Sequence, residues 1–499
     1  MVKKKITYYI FEGIVLLTLF AIRIFRMEQM GLFDYDSVRN YLTIQEMSQG
    51  DFSHLFHHIS PTFYLIFSPV YLLFEHFLAL EYANAAIGVW AVALFTRFLR
   101  KHWKLDFWRY LLFTWCIGTA TFLVVSSRYF SIENLSLLFF VWILTNYFNH
   151  LETSKSTYWY RTWVLIAFAA TINYKAILFI PIIFMIELFQ INRKLTWKAL
   201  AFIPLPFLGF SVCYSILGGL LKVGYLNYAK YFYALLFGRA TNPQVDKSKF
   251  DLDVFYYVKY CYDFENFLIG IGLIAMLYLN RTSLLAQVKR LFGQFKVKVN
   301  ATFLITYLMF AFVGGFAILA KAPRGMLWAY PLIYACAVYG LNQAARKLQW
   351  FVPIALLFFA INLLNINRYI YPYSSSNYAK LAAYIAAKDI EEVTITVGLG
   401  LVPFLDSSIN WEIAFSEQEI SMEKGQYVVI DDYQQIANLG NFKVLRSLSP
   451  MIAFKDSSLL SPYLFLEHCE YTNKGYEEAL ADWKAAQKQR YQLRLVRCE

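Results

Sequence analysis

Charge is scarce in this sequence: only 16% of the 499 residues are Asp, Glu, Lys or Arg, against about 25% in soluble domains. Hydrophobic residues make up 59% of the chain, and the mean hydropathy is +0.43. This composition excludes an ordinary soluble protein, and we predict a polytopic membrane protein. The net charge of +12 falls mainly in short segments between apolar runs, so it gives little support to nucleic-acid binding.

Metal-binding and redox motifs are also missing. The six cysteines are scattered without a Cys-x-x-Cys spacing, which excludes the usual zinc and redox motifs. Cys469 and Cys498 both fall in the C-terminal part and are candidates for a disulfide. His57 and His58 follow Asp51, but no His-Glu-x-x-His spacing accompanies them. We therefore predict no bound metal, and leave open a divalent cation such as Mg or Mn between carboxylates and phosphate.

Long apolar runs fill the first 370 residues, and no internal repeat relates them. Because a helix rises about 1.5 Å per residue, about 20 apolar residues cross a hydrocarbon core of roughly 30 Å. Twelve runs approach this length or reach it. They cover 6–24, 61–78, 81–99, 106–125, 133–149, 162–172, 176–191, 199–219, 265–281, 300–319, 325–341 and 350–366.

The placement of basic residues indicates which runs cross the membrane. If 61–78 crossed, the basic groups within 97–109, 193–198 and 281–298 would all lie outside. That arrangement would invert the usual bias of Lys and Arg towards the cytoplasmic side. If 61–78 lies in the outer interface, all three groups are inside. We therefore predict an α-helical polytopic membrane protein of about eleven transmembrane helices, with the N-terminus inside and the C-terminus outside.

The composition changes near residue 370. Residues 1–370 form the predicted membrane domain, with a first outer loop at 26–80 and a second, tyrosine-rich outer loop at 220–264. Residues 371–499 have the composition of a soluble unit, so we predict a small α/β domain outside the membrane. Its predicted helices cover 376–388 and 477–488, and its predicted strands cover 393–400, 427–432, 442–448 and 491–496.

Charged side chains cluster at the predicted outer ends of the spans. Such residues are costly at a membrane unless they are paired or used, so they are candidate site residues. Carboxylates and cations that face one compartment can deprotonate a nucleophile and hold an anionic leaving group. The clusters are Asp34, Asp36 and Arg39; Arg128 and Glu133; Lys175; and Lys321 and Arg324.

The first of these clusters lies in a motif that resembles a known family. Asp36-Ser37-Val38-Arg39, followed by Gln45-Glu46-Met47 and Gly50-Asp51-Phe52, is similar to the first outer loop of the C-superfamily (GT-C) glycosyltransferases. The resemblance is especially to lipid A aminoarabinose transferases and protein O-mannosyltransferases, which use polyprenyl-phosphate sugars. Ser37 stands where the family has a glutamate, which leaves Asp36 as the matching aspartate.

Three further segments extend the resemblance over the predicted membrane domain. Ser127 to Glu133 looks like the family's Ser-Arg-x-x-x-x-Asp, with glutamate for aspartate. Asn173 to Ala176, with Pro181 downstream, is similar to its Thr-Lys-Gly…Pro segment. Arg324 with Trp328 to Pro331 looks like its late Arg-Tyr…Pro block. The C-terminal part carries no motif of the family.

The resemblance implies a fold, a donor and a set of residue roles. It implies a sugar donor on a polyprenyl phosphate and a lipid, glycan or protein acceptor, at the outer face of a bacterial cytoplasmic membrane. The implied reaction is one inverting displacement, in which Asp36 takes the acceptor proton and Asp34 supplies a second carboxylate. The implied ligands of the donor phosphate are Lys175, Arg128, Arg324 and Arg39, and the residues implied to orient acceptor or donor are Glu133 and Tyr64.

Other interpretations stay open. An O-antigen-type polymerase or ligase would share the lipid-linked substrate, although the acidic first loop disfavours it. A lipid-linked sugar transporter or flippase would also need polar groups in the membrane, but the chain has no related halves. The acids of the first loop also fit a merely solvated surface. Arg128 with Glu133 fits a structural ion pair, Lys175 a side chain that reaches the interface, and Arg324 a headgroup anchor.

Overall fold

The computed structural model shows a helical membrane part followed by a small sheet domain. It describes residues 2–32, 34–190, 196–223, 228, 233, 253, 255–294, 299–319, 321–437, 442–472, 474–489 and 491–498. Most of the predicted loop 220–264 lies outside the described residues, as do parts of the predicted basic groups 193–198 and 281–298.

Helices make up almost all of the described membrane part, because its apolar runs satisfy every backbone polar group internally only as helices. The α-helices are Val2–Ile24, Met27–Met30, Tyr35–Ser48, Pro61–Phe74, Phe77–His102, Phe107–Gly118, Thr121–Ser126, Glu133–Thr153, Ser156–Ala170, Phe179–Phe189, Trp197–Phe202, Pro204–Leu220, Tyr256–Phe264, Leu268–Leu279, Arg281–Gln294, Ala301–Ala317, Ala329–Ala345 and Leu348–Tyr369. Short 3-10 helices cover His57–Ile59, Tyr174–Leu178, Pro323–Met326 and Tyr371–Tyr373.

The long, apolar helices confirm the predicted membrane fold class. Within the described residues, four helical stretches have the length and composition to cross a bilayer, and a fifth is added if one bent pair counts as a span. The bent pair joins Tyr256–Phe264 to Leu268–Leu279 at 120°. The other predicted runs form helices that do not combine the required length and apolar composition, among them the 21-residue helix Glu133–Thr153, so the total of about eleven spans stays a prediction. The four stretches are Ile6–Met30, Phe77–His102, Trp197–Leu220 and Leu348–Ala387.

The predicted interfacial run 61–78 contains a short helix. Helix Pro61–Phe74 starts with proline in its first turn and has 14 residues, so it rises only roughly 21 Å, less than a hydrocarbon core. It packs on helix Tyr35–Ser48, where the rings of Tyr41 and Tyr71 meet at 5.8 Å. Helices in other predicted runs are as short or shorter, so the interfacial position of 61–78 stays a prediction.

One predicted run, 106–125, is interrupted by a buried carboxylate. Helix Thr121–Ser126 begins where the backbone N–H groups of Thr121 and Phe122 donate to the carboxylate of Glu265, at 2.9 and 2.8 Å. A helix N-terminus has unpaired N–H groups and a partial positive charge, so it binds an acid well. Glu265 therefore joins the break in the run to the bend between Tyr256–Phe264 and Leu268–Leu279.

Two glycines allow helices Leu268–Leu279 and Ala329–Ala345 to touch through their backbones. A Cβ on Gly272 would overlap the carbonyl of Ala337, and a Cβ on Gly340 would overlap the carbonyl of Gly272. Small residues at such crossings let membrane helices associate by close packing, since lipid offers no hydrophobic driving force between them. This contact fixes the helix that follows the 3-10 turn containing Arg324.

The C-terminal part contains a five-stranded mixed sheet. Its strands are β1 (Glu392–Thr396), β2 (Asn410–Ala414), β3 (Tyr427–Asp431), β4 (Pro450–Lys455) and β5 (Gln492–Arg497), in the spatial order β2-β1-β3-β5-β4. β1 runs parallel to β2 and β3, whereas β5 is antiparallel to β3 and β4. The helices of this part are Tyr378–Ala387, Tyr433–Ile436, Lys443–Ser447, Pro462–Glu467, Cys469–Thr472 and Tyr476–Ala486. The predicted α/β class of the C-terminal part is thus confirmed.

Two details of the secondary structure of the C-terminal part differ from the prediction. The predicted strand 442–448 is helix Lys443–Ser447, because Phe442 and Leu445 are buried three residues apart while Val444 is 54% exposed. β2 and β4 were not predicted, since both lie at sheet edges and half of their residues are polar or exposed. Among the described residues the candidate disulfide is not formed: Cys469 and Cys498 are both buried, and neither sulfur is bonded to another cysteine.

Candidate active site

Two carboxylates of the first loop lie at the start of helix Tyr35–Ser48. Asp34 caps the helix, and its Oδ2 accepts the backbone N–H of Ser37 at 3.2 Å. Aspartate is favoured at this position because its side chain satisfies one of the unpaired N–H groups of the first turn. Asp36 lies within that first turn. Local helix capping thus fixes both acids at one end of the helix.

Asp36 is paired with two basic side chains. Its Oδ2 lies 2.8 Å from Nη1 of Arg324, and its Oδ1 lies 3.4 Å from Nε2 of His58. Burial alone raises the pKa of Asp36, but hydrogen bonding to His58 and the charge of Arg324 outweigh burial and hold that pKa well below its ordinary range. Asp36 is therefore a carboxylate at neutral pH.

Arg324 also bonds to the C-terminal domain. It lies on the 3-10 helix Pro323–Met326, where its backbone N–H donates to Oε1 of Glu467 at 2.9 Å. Its Nε lies 3.1 Å from Oε2 of the same carboxylate. The side chains of Arg324, Asp36 and Glu467 are 21%, 25% and 13% exposed. The guanidinium is thus held between a carboxylate of the first loop and one of the C-terminal domain.

Asp34 differs electrostatically from Asp36. Burial, the negative charge of Asp36 and that of Glu133 raise the pKa of Asp34, against the charge of Arg324, to about 7. Glu133 is buried at the start of helix Glu133–Thr153. That segment is tied to the first loop, because Nδ2 of Asn40 donates to the carbonyl of Phe130 at 3.1 Å. The site therefore contains one strongly ionised acid and one that titrates near neutrality.

A strained turn brings His58 to Asp36. His58 and Ile59 have φ values of 50° and 55°, a left-handed conformation that bulky residues rarely adopt outside functional sites. Burial lowers the pKa of His58, but its bond to Asp36 outweighs burial and raises that pKa. The hydroxyl of Tyr64, which is fully buried, lies 3.1 Å from both the Asn40 Oδ1 and the His57 carbonyl. The buried hydroxyl of Tyr64 thus stabilises this turn through its bond to the carbonyl of His57.

The other predicted cations are placed differently. Arg128 is buried, and its Nη1 donates to the carbonyls of Arg23 and Phe25 at 2.7 Å each. Arg39 and Lys175 are partly exposed, and neither side chain has a hydrogen bond or ion pair among the described residues. Their charges are therefore available to an anion, whereas Arg128 braces the first helix.

Lys175 follows a loop that is bonded to the turn containing His58. It is on the 3-10 helix Tyr174–Leu178, which Asn173 caps. The preceding loop is fastened to the turn, because Oγ of Ser60 donates to the carbonyl of Ile172 at 2.8 Å. Lys321, by contrast, donates through Nζ to the carbonyl of Ala317 at 2.9 Å and so caps a helix end.

No metal cluster is found in the part of the chain that the structure describes. Among those residues, no group of three or more His, Cys, Asp or Glu side chains is arranged to hold an ion. The predicted independence from metal stays a prediction.

The sequence did not reveal the contribution of the C-terminal domain. Glu467 ends helix Pro462–Glu467, and Tyr433, which lies close enough to Asp34 and Asp36 to feel their charges, bonds through its hydroxyl to Nε2 of His468 at 2.8 Å. A single acid at the end of a short, otherwise buried helix gives no signal of its own. Only the fold shows that it meets Arg324.

Comparison with known proteins finds a likeness among solved structures. No protein-family model matches the sequence, and no curated protein matches it. Among solved structures, the chain is similar to ArnT from Cupriavidus metallidurans bound to undecaprenyl phosphate, with a TM-score of 0.58 and 11% identity over 90% of this chain and 96% of that one. The apo state of the same protein gives a TM-score of 0.53 and 12% identity over 89% and 95%. The chain therefore has the fold of ArnT, a GT-C glycosyltransferase that transfers aminoarabinose to lipid A.

Proposed function

We propose that this protein is a membrane glycosyltransferase that moves a sugar from a polyprenyl-phosphate donor to a hydroxyl of a lipid, glycan or protein, at the outer face of a bacterial cytoplasmic membrane. The observation that carries the proposal is the 2.8 Å contact between Asp36 and Arg324. It places a carboxylate that is able to take a proton beside a cation that is able to hold a phosphate. The fold is shared with a structure that is bound to undecaprenyl phosphate.

The proposed reaction is one inverting displacement. The acceptor oxygen attacks the anomeric carbon, the bond from that carbon to the phosphate oxygen breaks, and the lipid phosphate leaves with the bonding electrons. Asp36 accepts the proton of the acceptor hydroxyl as the new bond forms. Arg324 stabilises the negative charge that grows on the leaving phosphate, as fixed cations do in a partly dry site.

The ion pair with Arg324 makes the basicity of Asp36 depend on whether donor is bound. Without donor, Arg324 and His58 keep the pKa of Asp36 low, so this carboxylate is a weak base. A donor phosphate competes with Asp36 for the guanidinium of Arg324. As that ion pair weakens, the pKa of Asp36 rises towards the range in which a general base is effective. Asp36 thus becomes a competent base only when donor is present.

Supporting roles follow from the contacts. Arg39 and Lys175 carry charges that no described residue pairs, so both suit the donor phosphate. Glu133, whose Oε2 is buried without a hydrogen bond, suits a hydroxyl of the acceptor or donor. Tyr64 positions the turn of His58, and Arg128 positions the end of the first helix. The contacts of Arg128 thus favour a bracing role over the phosphate contact that the family resemblance implies.

The test uses purified wild type and Asp36→Asn with a panel of radiolabelled polyprenyl-phosphate sugars and a membrane extract as acceptor. Loss of a general base costs about 100-fold or more, so we expect transfer by the wild type to collapse in the variant. Asp51→Asn is the matched control, because Asp51 is an exposed acid of the same loop that only caps Ser53. Both are assayed with and without EDTA, and we expect transfer to survive the chelator.

Two results would contradict the proposal. Full activity of Asp36→Asn would remove Asp36 as the base. A wild type that uses no donor of a broad panel would remove the transfer reaction itself.

A further inference from the structure

A basic cavity lies at the end of the helix bundle opposite Asp36. Helix Phe77–His102 starts near the first loop and runs away from it to Lys104, and helix Ala329–Ala345 starts just after Arg324 and ends before Arg346. The cavity between these far ends has a volume of about 430 Å³. We call it the basic cavity, and its polar lining is Lys104, Arg109, Asn342, Gln343 and Arg346.

The three cations of the basic cavity are not equivalent. The guanidinium of Arg109 is already hydrogen-bonded within the protein. It donates to Asp106 at 2.6 Å, to Oδ1 of Asn342 at 2.9 Å and to the carbonyl of Arg346 at 3.2 Å. Lys104 and Arg346 are exposed, and their side chains have no hydrogen bond or ion pair among the described residues. Asp106, the acid beside the cavity, is already neutralised by Arg109. Two positive charges therefore remain for a ligand.

The backbone holds these two cations in an unusual conformation. Lys104 has a φ of 53° and Arg346 a φ of 57°, positive values that residues other than glycine rarely adopt. Here both positions carry a long cationic side chain instead. The carbonyl of Arg346 is fixed by Arg109. Both positions lie just past the end of a helix, and both line the basic cavity.

Apolar surface continues from the cavity along the membrane. The cavity wall includes Trp103, Leu105 and Leu279. On the helix that ends at Leu279, Ile271 and Ile274 are 52% and 71% exposed. A free inorganic anion would use only the cations, whereas a lipid would place its headgroup on them and its acyl chain along this apolar helix. The surroundings therefore favour a lipid.

We propose that the basic cavity binds the phosphate headgroup of an anionic phospholipid, in the leaflet opposite the proposed catalytic site. Basic pockets between membrane helices on the cytoplasmic side are suited to such headgroups. The charge placement in the sequence puts this end of the bundle inside, where anionic lipids are held by loops rich in Lys and Arg. The proposal rests on this cavity alone and is independent of the transferase reaction.

The test is lipid retention by the purified full-length protein in detergent, measured by native mass spectrometry, with phosphatidylglycerol, phosphatidylcholine or inorganic phosphate added. The test variant is Lys104→Gln with Arg346→Gln. The matched control is Arg281→Gln with Lys347→Gln, which removes two charges from the same end of the bundle but none from the cavity lining. Thermal melting with each additive gives a second readout.

We expect phosphatidylglycerol to be retained and to raise the melting temperature of the wild type and the control. Each basic residue that contacts the headgroup contributes roughly a fivefold gain in affinity. Loss of both cavity cations should therefore weaken binding about 25-fold, whereas the control keeps both. Equal retention by test and control variants would overturn the site. Protection by inorganic phosphate equal to that by phosphatidylglycerol would overturn the lipid as ligand, and so would equal retention of phosphatidylcholine. If the test variant does not fold, the single variant Lys104→Glu, on an exposed side chain, replaces it in the assay. This variant also lowers the charge of the cavity by two units, so the same loss of phosphatidylglycerol affinity is expected.

Discussion

Replacing Glu467 by glutamine changes the site from the C-terminal domain without touching the first loop. The carboxylate of Glu467 accepts the backbone N–H of Arg324 at 2.9 Å and lies 3.1 Å from its Nε. Glutamine has the same size and keeps one acceptor oxygen, so the backbone bond survives. What is lost is the charge that holds the guanidinium in place beside Asp36.

The magnitude follows from those contacts. Hydrogen bonds to charged groups contribute about 1.5–3 kcal/mol and neutral ones about 0.5–1.5 kcal/mol. Replacing the charged acceptor of Glu467 by the neutral one of glutamine therefore weakens its interaction with Arg324 by roughly 1–1.5 kcal/mol. Solvent screens this interaction little, because the side chains of Glu467 and Arg324 are only 13% and 21% exposed. If Glu467 positions Arg324 for the donor phosphate, kcat/KM for the donor falls roughly tenfold.

The assay compares donor kinetics with the melting temperature. Glu477→Gln is the control. Glu477 belongs to the same domain and pairs with Lys259 at 2.6 Å, but the side chains of Glu477 and Lys259 are 67% and 45% exposed. Exposed pairs contribute about 0–1 kcal/mol, so its kinetics should match the wild type. In an Arg324→Gln background, Glu467→Gln should have no further kinetic effect. Unchanged donor kinetics in Glu467→Gln, with or without a lower melting temperature, would refute the positioning role.

Two further predictions concern pH and packing. Burial and the charge of Asp36 raise the pKa of Asp34 to about 7, so the folded protein keeps a proton that the unfolded chain releases near pH 4. The stability from this proton is complete below about pH 4 and is lost as pH rises through 7. The melting temperature of wild type should therefore fall more between pH 5 and 8 than that of Asp34→Asn, and parallel curves would contradict the assignment. Gly272→Ala should lower the free energy of unfolding by about 1–3 kcal/mol, because the added Cβ meets the backbone of Ala337. Gly270→Ala on the same helix is the control, because a Cβ at that position meets nothing within 4 Å. Equal thermal unfolding of the two variants would contradict the close crossing.

The fold class follows from the sequence because membrane insertion depends on composition over long runs. Apolar content alone does not separate the segment 61–78 from a span, and its predicted position in the interface follows from the distribution of Lys and Arg. Shorter elements were less predictable. The segment 442–448 has both alternating and threefold apolar spacing, and only its position on the sheet domain decides for helix Lys443–Ser447.

The site was predictable in its membrane half only. Asp36 and Arg324 are charged residues at predicted outer ends, and the structure brings them into contact. Arg128 has the same sequence signature, yet its guanidinium bonds to the carbonyls of Arg23 and Phe25. Sequence patterns locate a charge along the chain but not its partner, and for the same reason Glu467 could not be predicted.

The position of Arg324 between Asp36 and Glu467 has a consequence for biogenesis. Its two contacts join residues 288 and 143 positions apart in the chain. Insertion of the membrane helices can bring the first of these pairs together while the ribosome is still at work. The second pair forms only after the sheet domain has been synthesised, has folded and has packed against the membrane part, so the complete arrangement around the arginine is among the last features of the molecule to form.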